Sequence, residues 1–104
     1  MQTVELTLVG KPECHLCQDA KTVVDRVLAA ARENNIDITY SEINILDDEQ
    51  AAAEYGEDIP VVLLGGRPYA SFYVYEDKLA YAIIDERDRL LRRSRSLFGR
   101  IFRR

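Results

Sequence analysis

The chain has 104 residues, of which 47% are hydrophobic and 31% charged, a composition typical of one small globular domain. No uninterrupted apolar stretch approaches the roughly 18 residues of a membrane span, and the first residues lack the basic-then-apolar pattern of a signal peptide. Two cysteines are too few for the disulfide framework of a small secreted protein. We therefore expect a cytoplasmic location.

The net charge of −4 hides a strong asymmetry along the chain. Residues 1–91 contain all 18 acidic residues and eight basic ones, whereas residues 92–104 contain six arginines and no acid. An acidic body repels phosphate backbones, so any nucleic-acid binding would depend on the basic end alone. We expect no nucleic-acid partner.

The first half of the chain alternates between strand and helix patterns. Residues 3–9 alternate apolar and polar side chains as a strand does, and apolar residues then recur every three or four positions from residue 14 to residue 31, which predicts a helix. Asn34 and Asn35 are suited to end this helix, because asparagine tolerates the left-handed conformation. A second strand is predicted near residues 37–43, followed by a short helix that ends at Gly56. Asp47 and Gln50 have the spacing of a capping box for it.

The second half predicts a hairpin and a final helix. Residues 59–64 form a short apolar run between a proline and a glycine pair, which favours a buried strand. Gly65 and Gly66 then form the turn to an antiparallel strand over residues 67–74. Glu76 and Asp77 begin a helix that we expect to end near residue 92. The simplest interpretation of the tyrosines is strand and helix packing, and a substrate-binding surface is the alternative; they are Tyr69, Tyr73, Tyr75 and Tyr81.

The two cysteines form a C-x-x-C motif, Cys14-His15-Leu16-Cys17, between the first strand and the first helix. At a helix start, unpaired backbone N–H groups and the helix dipole lower the pKa of a thiol, so Cys14 is suited to be the attacking thiolate. Cys17 lies one helical turn further along the same face and can reach the Cys14 sulfur. The motif therefore predicts attack by Cys14 on a substrate disulfide and resolution of the mixed disulfide by Cys17. Lys11, and His15 if it is protonated, add positive charge near the thiolate.

These features together resemble the thioredoxin fold of glutaredoxin-like proteins over about residues 3–90. The resemblance implies an α/β fold with a four-stranded mixed sheet flanked by three helices, and thiol–disulfide oxidoreductase activity. It also implies that the Ile59-Pro60 bond is cis, that Pro60 faces the cysteine pair and that the Ile59 backbone pairs with the substrate. Lys11 matches the basic residue that meets a glutathione carboxylate in many glutaredoxins, and His15 joins these residues as a candidate substrate contact.

Two features depart from the glutaredoxin pattern. Cys-His-Leu-Cys stands where Cys-Pro-Tyr-Cys is usual, and residues 70–75 replace the second glycine pair with the acid that holds the γ-glutamyl end of glutathione. The expected partners are consequently disulfide-containing proteins or glutathione, with glutathione as a candidate reductant rather than a bound cofactor. We expect the protein to be a monomer.

Two other functions remain open at this point. A thioredoxin-fold domain can act as a binding module without catalysis, and two chains can share an iron–sulfur cluster through such cysteines. The absence of proline after Cys14 leaves the shared cluster open, although we disfavour it. We predict no metal site within the monomer, because Cys14, Cys17 and His15 supply at most three ligands, whereas structural zinc takes four.

The basic C-terminal tail, residues 93–104, has two alternative structural interpretations. Leu97, Phe98, Ile101 and Phe102 are spaced as one face of a short amphipathic helix, with arginines between them. Such a face suits weak contact with an anionic membrane surface or a groove on a partner. The alternative is a frayed or disordered end, and Gly99 weakens a helix here by ~1 kcal/mol.

Overall fold

The computed structural model describes residues 3–102, and the side chains of residues 3–95 within that range. It contains four strands and three helices in the predicted order. The elements are β1 (Val4–Gly10), α1 (His15–Glu33), β2 (Ile38–Asn44), α2 (Glu49–Tyr55), β3 (Val61–Leu64), β4 (Arg67–Ser71) and α3 (Glu76–Phe102).

The strands form one mixed sheet in the order β2-β1-β3-β4. β1 pairs in parallel with β2, which places Gly10 beside Asn44 at the end of both strands. β1 also pairs antiparallel with β3, with Val9 opposite Val61, and β3 forms the predicted hairpin with β4. The C-terminal end of β1 and the beginning of β3 therefore lie at the same end of the sheet.

The sheet buries apolar residues on both faces. Val4, Leu6 and Leu8 lie in a core cluster with residues of α1 and α3 such as Val24 and Ile83, as the alternation in β1 predicts. Val9 belongs to a second, smaller cluster with Val61 and Leu63, against which Tyr55 of α2 packs. α1 and α3 thus cover one face, and α2 covers the other.

The helix termini confirm one prediction and correct another. Asn35 adopts the left-handed conformation, with a φ of 58°, directly after α1. The N-cap of α2 is Asp48 rather than Asp47, and its carboxylate accepts a hydrogen bond of 2.9 Å from the Ala51 N–H. The predicted box was placed one residue too early, because adjacent aspartates both have a capping side chain and sequence spacing alone does not choose between them.

The fourth strand is shorter than predicted, and its aromatic residues are exposed. β4 ends at Ser71 because Phe72 has a φ of 66°, which interrupts the extended backbone. The packing interpretation of the tyrosines is wrong, since their exposed fractions are 40%, 62%, 56% and 70% for Tyr69, Tyr73, Tyr75 and Tyr81. Aromatic β-propensity does not show whether a residue on an edge strand is covered by another element.

A carboxylate on α3 is tied to β4 beside the hairpin turn. Glu86 is 7% exposed and accepts hydrogen bonds from Arg67 (2.8 Å) and from two nitrogens of Arg89 (3.0 and 3.1 Å). Hydrogen bonds from Arg89 and the positive charge of Arg67 hold the pKa of Glu86 below its ordinary value. We call these three residues, Glu86, Arg67 and Arg89, the ion-pair clasp. It fixes α3 at the end of the sheet away from Cys14.

The last helix continues beyond its predicted end near residue 92 and reaches Phe102. Among the α3 residues whose side chains are described, Leu90 is the last that packs against the core. The predicted apolar face of the tail, formed by Leu97, Phe98, Ile101 and Phe102, lies outside the described side chains. Across residues 3–102, no helix is long and apolar enough to cross a membrane.

Candidate active site

The cysteine pair lies at the N-terminus of α1, immediately after β1. Cys14 is the N-cap residue, and its sulfur accepts a hydrogen bond of 3.2 Å from the Cys17 N–H. Cys14 and Cys17 form a disulfide, with their Cα atoms 5.2 Å apart. The first turn of the helix contains no acidic side chain. Cys14 Sγ is thus held where backbone dipoles favour negative charge.

The two cysteines differ in their access to solvent. Cys14 is half-buried, whereas Cys17 is only 8% exposed. Cys17 packs closely on Gly10, since a methyl group built on that glycine would lie 3.0 Å from Cys17 Sγ. Cys14 is therefore the more accessible of the two cysteines.

The segment before β3 lies at the same end of the sheet as the cysteine pair. The Ile59-Pro60 bond is cis, as the resemblance implied. Because Val61 pairs with Val9 in an antiparallel ladder, the buried Pro60 lies opposite Gly10, the glycine that touches Cys17. In the described part of the chain, no hydrogen bond uses the Ile59 N–H or C=O. This backbone is consequently free to pair with an extended ligand.

A cleft of about 360 Å³ lies on the other side of the cysteine pair. Its lining combines apolar groups and polar side chains from β1, α1 and β2, and it includes Lys11, Cys17, Gln18, Lys21, Glu42 and Asn44. Ile59 and Pro60 are not among its lining residues. The structure therefore places the predicted contacts on two sides of the disulfide.

A family model matches residues 5–84, and its description is glutaredoxin-like domain (DUF836). The chain belongs to this glutaredoxin-like family. The match includes the cysteine pair and the Ile59-Pro60 segment, so it covers both sides of the candidate active site. No curated protein sequence matches the chain.

Solved structures show the fold of this glutaredoxin-like domain. A structural genomics target protein from X. campestris is similar with a TM-score of 0.60 and 23% identity, over 77% of this chain and 96% of that one. The oxidised mitochondrial thioredoxin 3 of Saccharomyces cerevisiae gives a TM-score of 0.59 at 15% identity, over 79% and 77% of the two chains. A mutant thioredoxin from Halobacterium salinarum gives 0.57 at 21% identity, over 81% and 74%. The fold is therefore thioredoxin-like.

The cleft of the glutaredoxin-like domain has a charged wall that sequence reasoning missed. Lys21 pairs with Asp25 (2.9 Å) and Glu42 (3.1 Å), and the Tyr40 hydroxyl donates a 2.6 Å hydrogen bond to Glu42. Hydrogen bonds from Tyr40 and Lys21 lower the pKa of Glu42, and hydrogen bonds to Asp25 and Glu42 raise that of Lys21. Both groups stay charged near neutral pH. Lys21 follows Cys17 by four residues, and this spacing in the sequence already indicates that the two side chains lie on the same face of α1.

Lys11 and His15 take different positions in the glutaredoxin-like domain. Lys11 is exposed and lines the cleft together with Cys17. His15 is exposed as the first residue of α1 and does not line the cleft. Among the described residues, no group of three or more His, Cys, Asp or Glu side chains is arranged to hold a metal ion.

Proposed function

We propose that this glutaredoxin-like domain is a thiol–disulfide oxidoreductase in which Cys14 attacks and Cys17 resolves. One observation carries the proposal: Cys14 is half-buried at the N-cap of α1 with its Sγ hydrogen-bonded to the Cys17 N–H, whereas Cys17 beside it is buried. The family match and the cysteine pair support redox chemistry in general, and the division of roles follows from this asymmetry.

Local electrostatics favour the thiolate form of reduced Cys14. A hydrogen bond to the charged form of a group stabilises that form, and a helix N-terminus adds roughly 0.3–1 kcal/mol at an exposed site. The hydrogen bond from the Cys17 N–H and the helix N-terminus both lower the pKa of the reduced Cys14 thiol below the ordinary cysteine value. This increases the fraction of the attacking species at neutral pH.

The reaction consists of two exchanges. The Cys14 thiolate attacks one sulfur of a substrate disulfide, which forms a mixed disulfide with Cys14 and releases the other sulfur as a thiolate. The Cys17 thiolate then attacks Cys14 Sγ, which forms the observed Cys14–Cys17 bond and releases the second substrate thiolate. Two electrons pass from the dithiol to the substrate, and the two cysteine protons end on the released thiolates. An external thiol reductant returns the pair to the dithiol by the reverse exchanges.

The proposed substrates are disulfides of proteins or of glutathione, in the reducing cytoplasm, and the proposed active form is the monomer. Glutathione is the proposed reductant. Lys11 at the cleft provides a cation beside the cysteine pair, and the unpaired Ile59 backbone provides a donor and an acceptor for an extended substrate. His15, exposed at the helix start, adds positive charge near Cys14 when it is protonated.

Single cysteine variants test the assignment of roles. Cys14→Ser should abolish reduction of a glutathionylated peptide, because the buried Cys17 does not reach an incoming disulfide. Cys17→Ser should still form the mixed disulfide and accumulate it, which mass spectrometry detects as a covalent adduct. If Cys14→Ser reduces the peptide as fast as the parent, the proposed roles are wrong.

A further inference from the structure

An aromatic segment, defined as residues 72–75, lies exposed after β4. Phe72, Tyr73 and Tyr75 are 42%, 62% and 56% exposed, whereas Val74 between them packs against the core. Large aromatic side chains are enriched at protein interfaces, because they bury much apolar area with few rotatable bonds. Three of them in four residues form a surface that the folding of this domain does not use.

The aromatic segment begins beside the candidate active site. The Phe72 N–H donates a 2.8 Å hydrogen bond to the Pro60 carbonyl, and Pro60 lies opposite Gly10, which touches Cys17. Because neighbouring strands are spaced by 4.7–4.9 Å, Phe72 lies two strand spacings, or about 10 Å, from the end of β1. An extended substrate crosses this distance with about three residues.

The backbone of the segment is firmly held. Phe72 keeps a φ of 66°, which is unfavourable for a bulky side chain, while its N–H is bonded to Pro60. The Tyr73 N–H donates to the Ser71 carbonyl at 2.7 Å, and the Tyr75 carbonyl accepts from the Leu79 N–H at 2.9 Å. A fixed backbone lowers the entropy cost of using these rings for binding.

Exposed acidic side chains precede the Ile59-Pro60 bond in sequence and follow the aromatic segment. Glu57 and Asp58 are exposed just before Ile59, and Glu76 and Asp77 are exposed in the first turn of α3. The Lys78 ammonium lies 5.1 Å from the centre of the Tyr75 ring. One of the rings therefore already accepts a cation from within the chain.

We propose that the aromatic segment docks polypeptide substrates that carry cationic and apolar residues about three positions from the disulfide cysteine. This inference rests on the proposed oxidoreductase function and names its substrate class. Glutathione has one residue on each side of its cysteine, fewer than the roughly three residues that cross the distance of about 10 Å to Phe72. Its carboxylates also oppose the acidic flanks, whereas lysine or arginine in a polypeptide complements them.

Three disulfide probes separate this substrate class from the alternatives. Two are eleven-residue peptides with a central cysteine linked to 2-mercaptoethanol, one with arginine and leucine three to five positions away and one with glutamate in place of arginine. The third is bis(2-hydroxyethyl) disulfide, which has no polypeptide. We expect the parent to reduce the cationic peptide with roughly tenfold higher kcat/KM than the acidic one at low salt, consistent with electrostatic steering.

The matched variants are Tyr73→Ala/Tyr75→Ala and Tyr81→Ala. We expect the double variant to lose about tenfold in kcat/KM on the cationic peptide and to keep the parental rate on the small disulfide, a loss typical of interface tyrosines. Tyr81 is 70% exposed on α3, so Tyr81→Ala should match the parent on all three probes. A second variant, Glu57→Gln/Asp58→Asn, should reduce the preference for the cationic peptide without affecting the small disulfide.

The outcomes distinguish failure of the docking surface from failure of the redox function. If the parent and the tyrosine double variant reduce the cationic peptide equally, the docking surface is refuted while the oxidoreductase function stands. If the parent reduces none of the probes, the oxidoreductase function is refuted. A fluorescent cationic peptide with serine in place of cysteine then tests the docking surface without any redox step. The inference requires that this peptide bind the tyrosine double variant with a severalfold higher Kd than the parent.

Discussion

Gly10→Ala would add a methyl group at the closest contact between β1 and the cysteine pair. The new Cβ would lie 3.0 Å from Cys17 Sγ and 3.3 Å from Cys17 Cβ. Contacts of 3.0–3.4 Å are tighter than nearly all real Cβ contacts, so Cys17 or the end of β1 must move by a few tenths of an ångström. The substitution therefore displaces the resolving sulfur directly.

The expected magnitudes follow from this displacement. Overpacking in a closely packed region costs about 1–3 kcal/mol of the free energy of unfolding. A shift of about 1 Å in a reacting group can cost up to about 100-fold in rate. A displacement of a few tenths of an ångström is smaller, so we expect Gly10→Ala to slow the attack of Cys17 on a mixed disulfide at Cys14 severalfold, with a smaller effect on the first attack by Cys14.

Rapid-quench analysis of protein glutathionylated at Cys14 measures the resolving step, and urea unfolding measures the stability. Gly66→Ala is the matched control, because Gly66 has a φ of 78° and an added methyl group meets no atom within 4 Å. That control should lose about 1–2 kcal/mol through backbone strain and keep the parental rate of resolution. Equal rates of resolution in Gly10→Ala and the parent would refute the close-packing argument.

Two further predictions concern the ion-pair clasp and the tail. Glu86→Gln should lower the free energy of unfolding at pH 7 by about 1–2 kcal/mol, a range discounted because Arg67 and Arg89 are partly solvent-exposed. Because the folded pKa of Glu86 is depressed, its stabilisation is present above the unfolded value of about 4.3 and is lost as the pH falls from there through the folded pKa. Urea titrations of variant and parent should therefore converge at acidic pH, and a difference that stays constant with pH would contradict this. Deleting residues 93–104 should abolish sedimentation with anionic liposomes and leave disulfide reduction unchanged, and sedimentation equal to that of the parent would refute the predicted membrane contact.

The sequence predicts the elements of this fold because their signals are local. The alternation of Val4, Leu6 and Leu8 and the helical spacing after Cys14 depend only on neighbouring residues, and the structure confirms both elements. The errors occur where a local pattern permits two answers. Asp47 and Asp48 are both suited to cap a helix, and a run of aromatic residues does not reveal that Phe72 leaves the strand.

The candidate site could be predicted only in part, for a geometric reason. Cys14 and Cys17 are neighbours in sequence, so their proximity follows from helix geometry. The charged wall formed by Lys21 and Glu42 depends on the parallel register of β1 and β2, which pairs Leu8 with Glu42. No local pattern specifies that register, so the cleft beside Cys17 became visible only in the folded chain.

The central claim is that the start of α1 stabilises the Cys14 thiolate, and the pH dependence of alkylation of the reduced protein tests it most directly. Iodoacetamide modification of Cys14, measured in Cys17→Ser so that one thiol reacts, should show a midpoint below the ordinary cysteine pKa of about 8.5. The same titration after unfolding in urea should return to about 8.5. A midpoint at or above 8.5 in the folded protein would contradict the proposed role of Cys14.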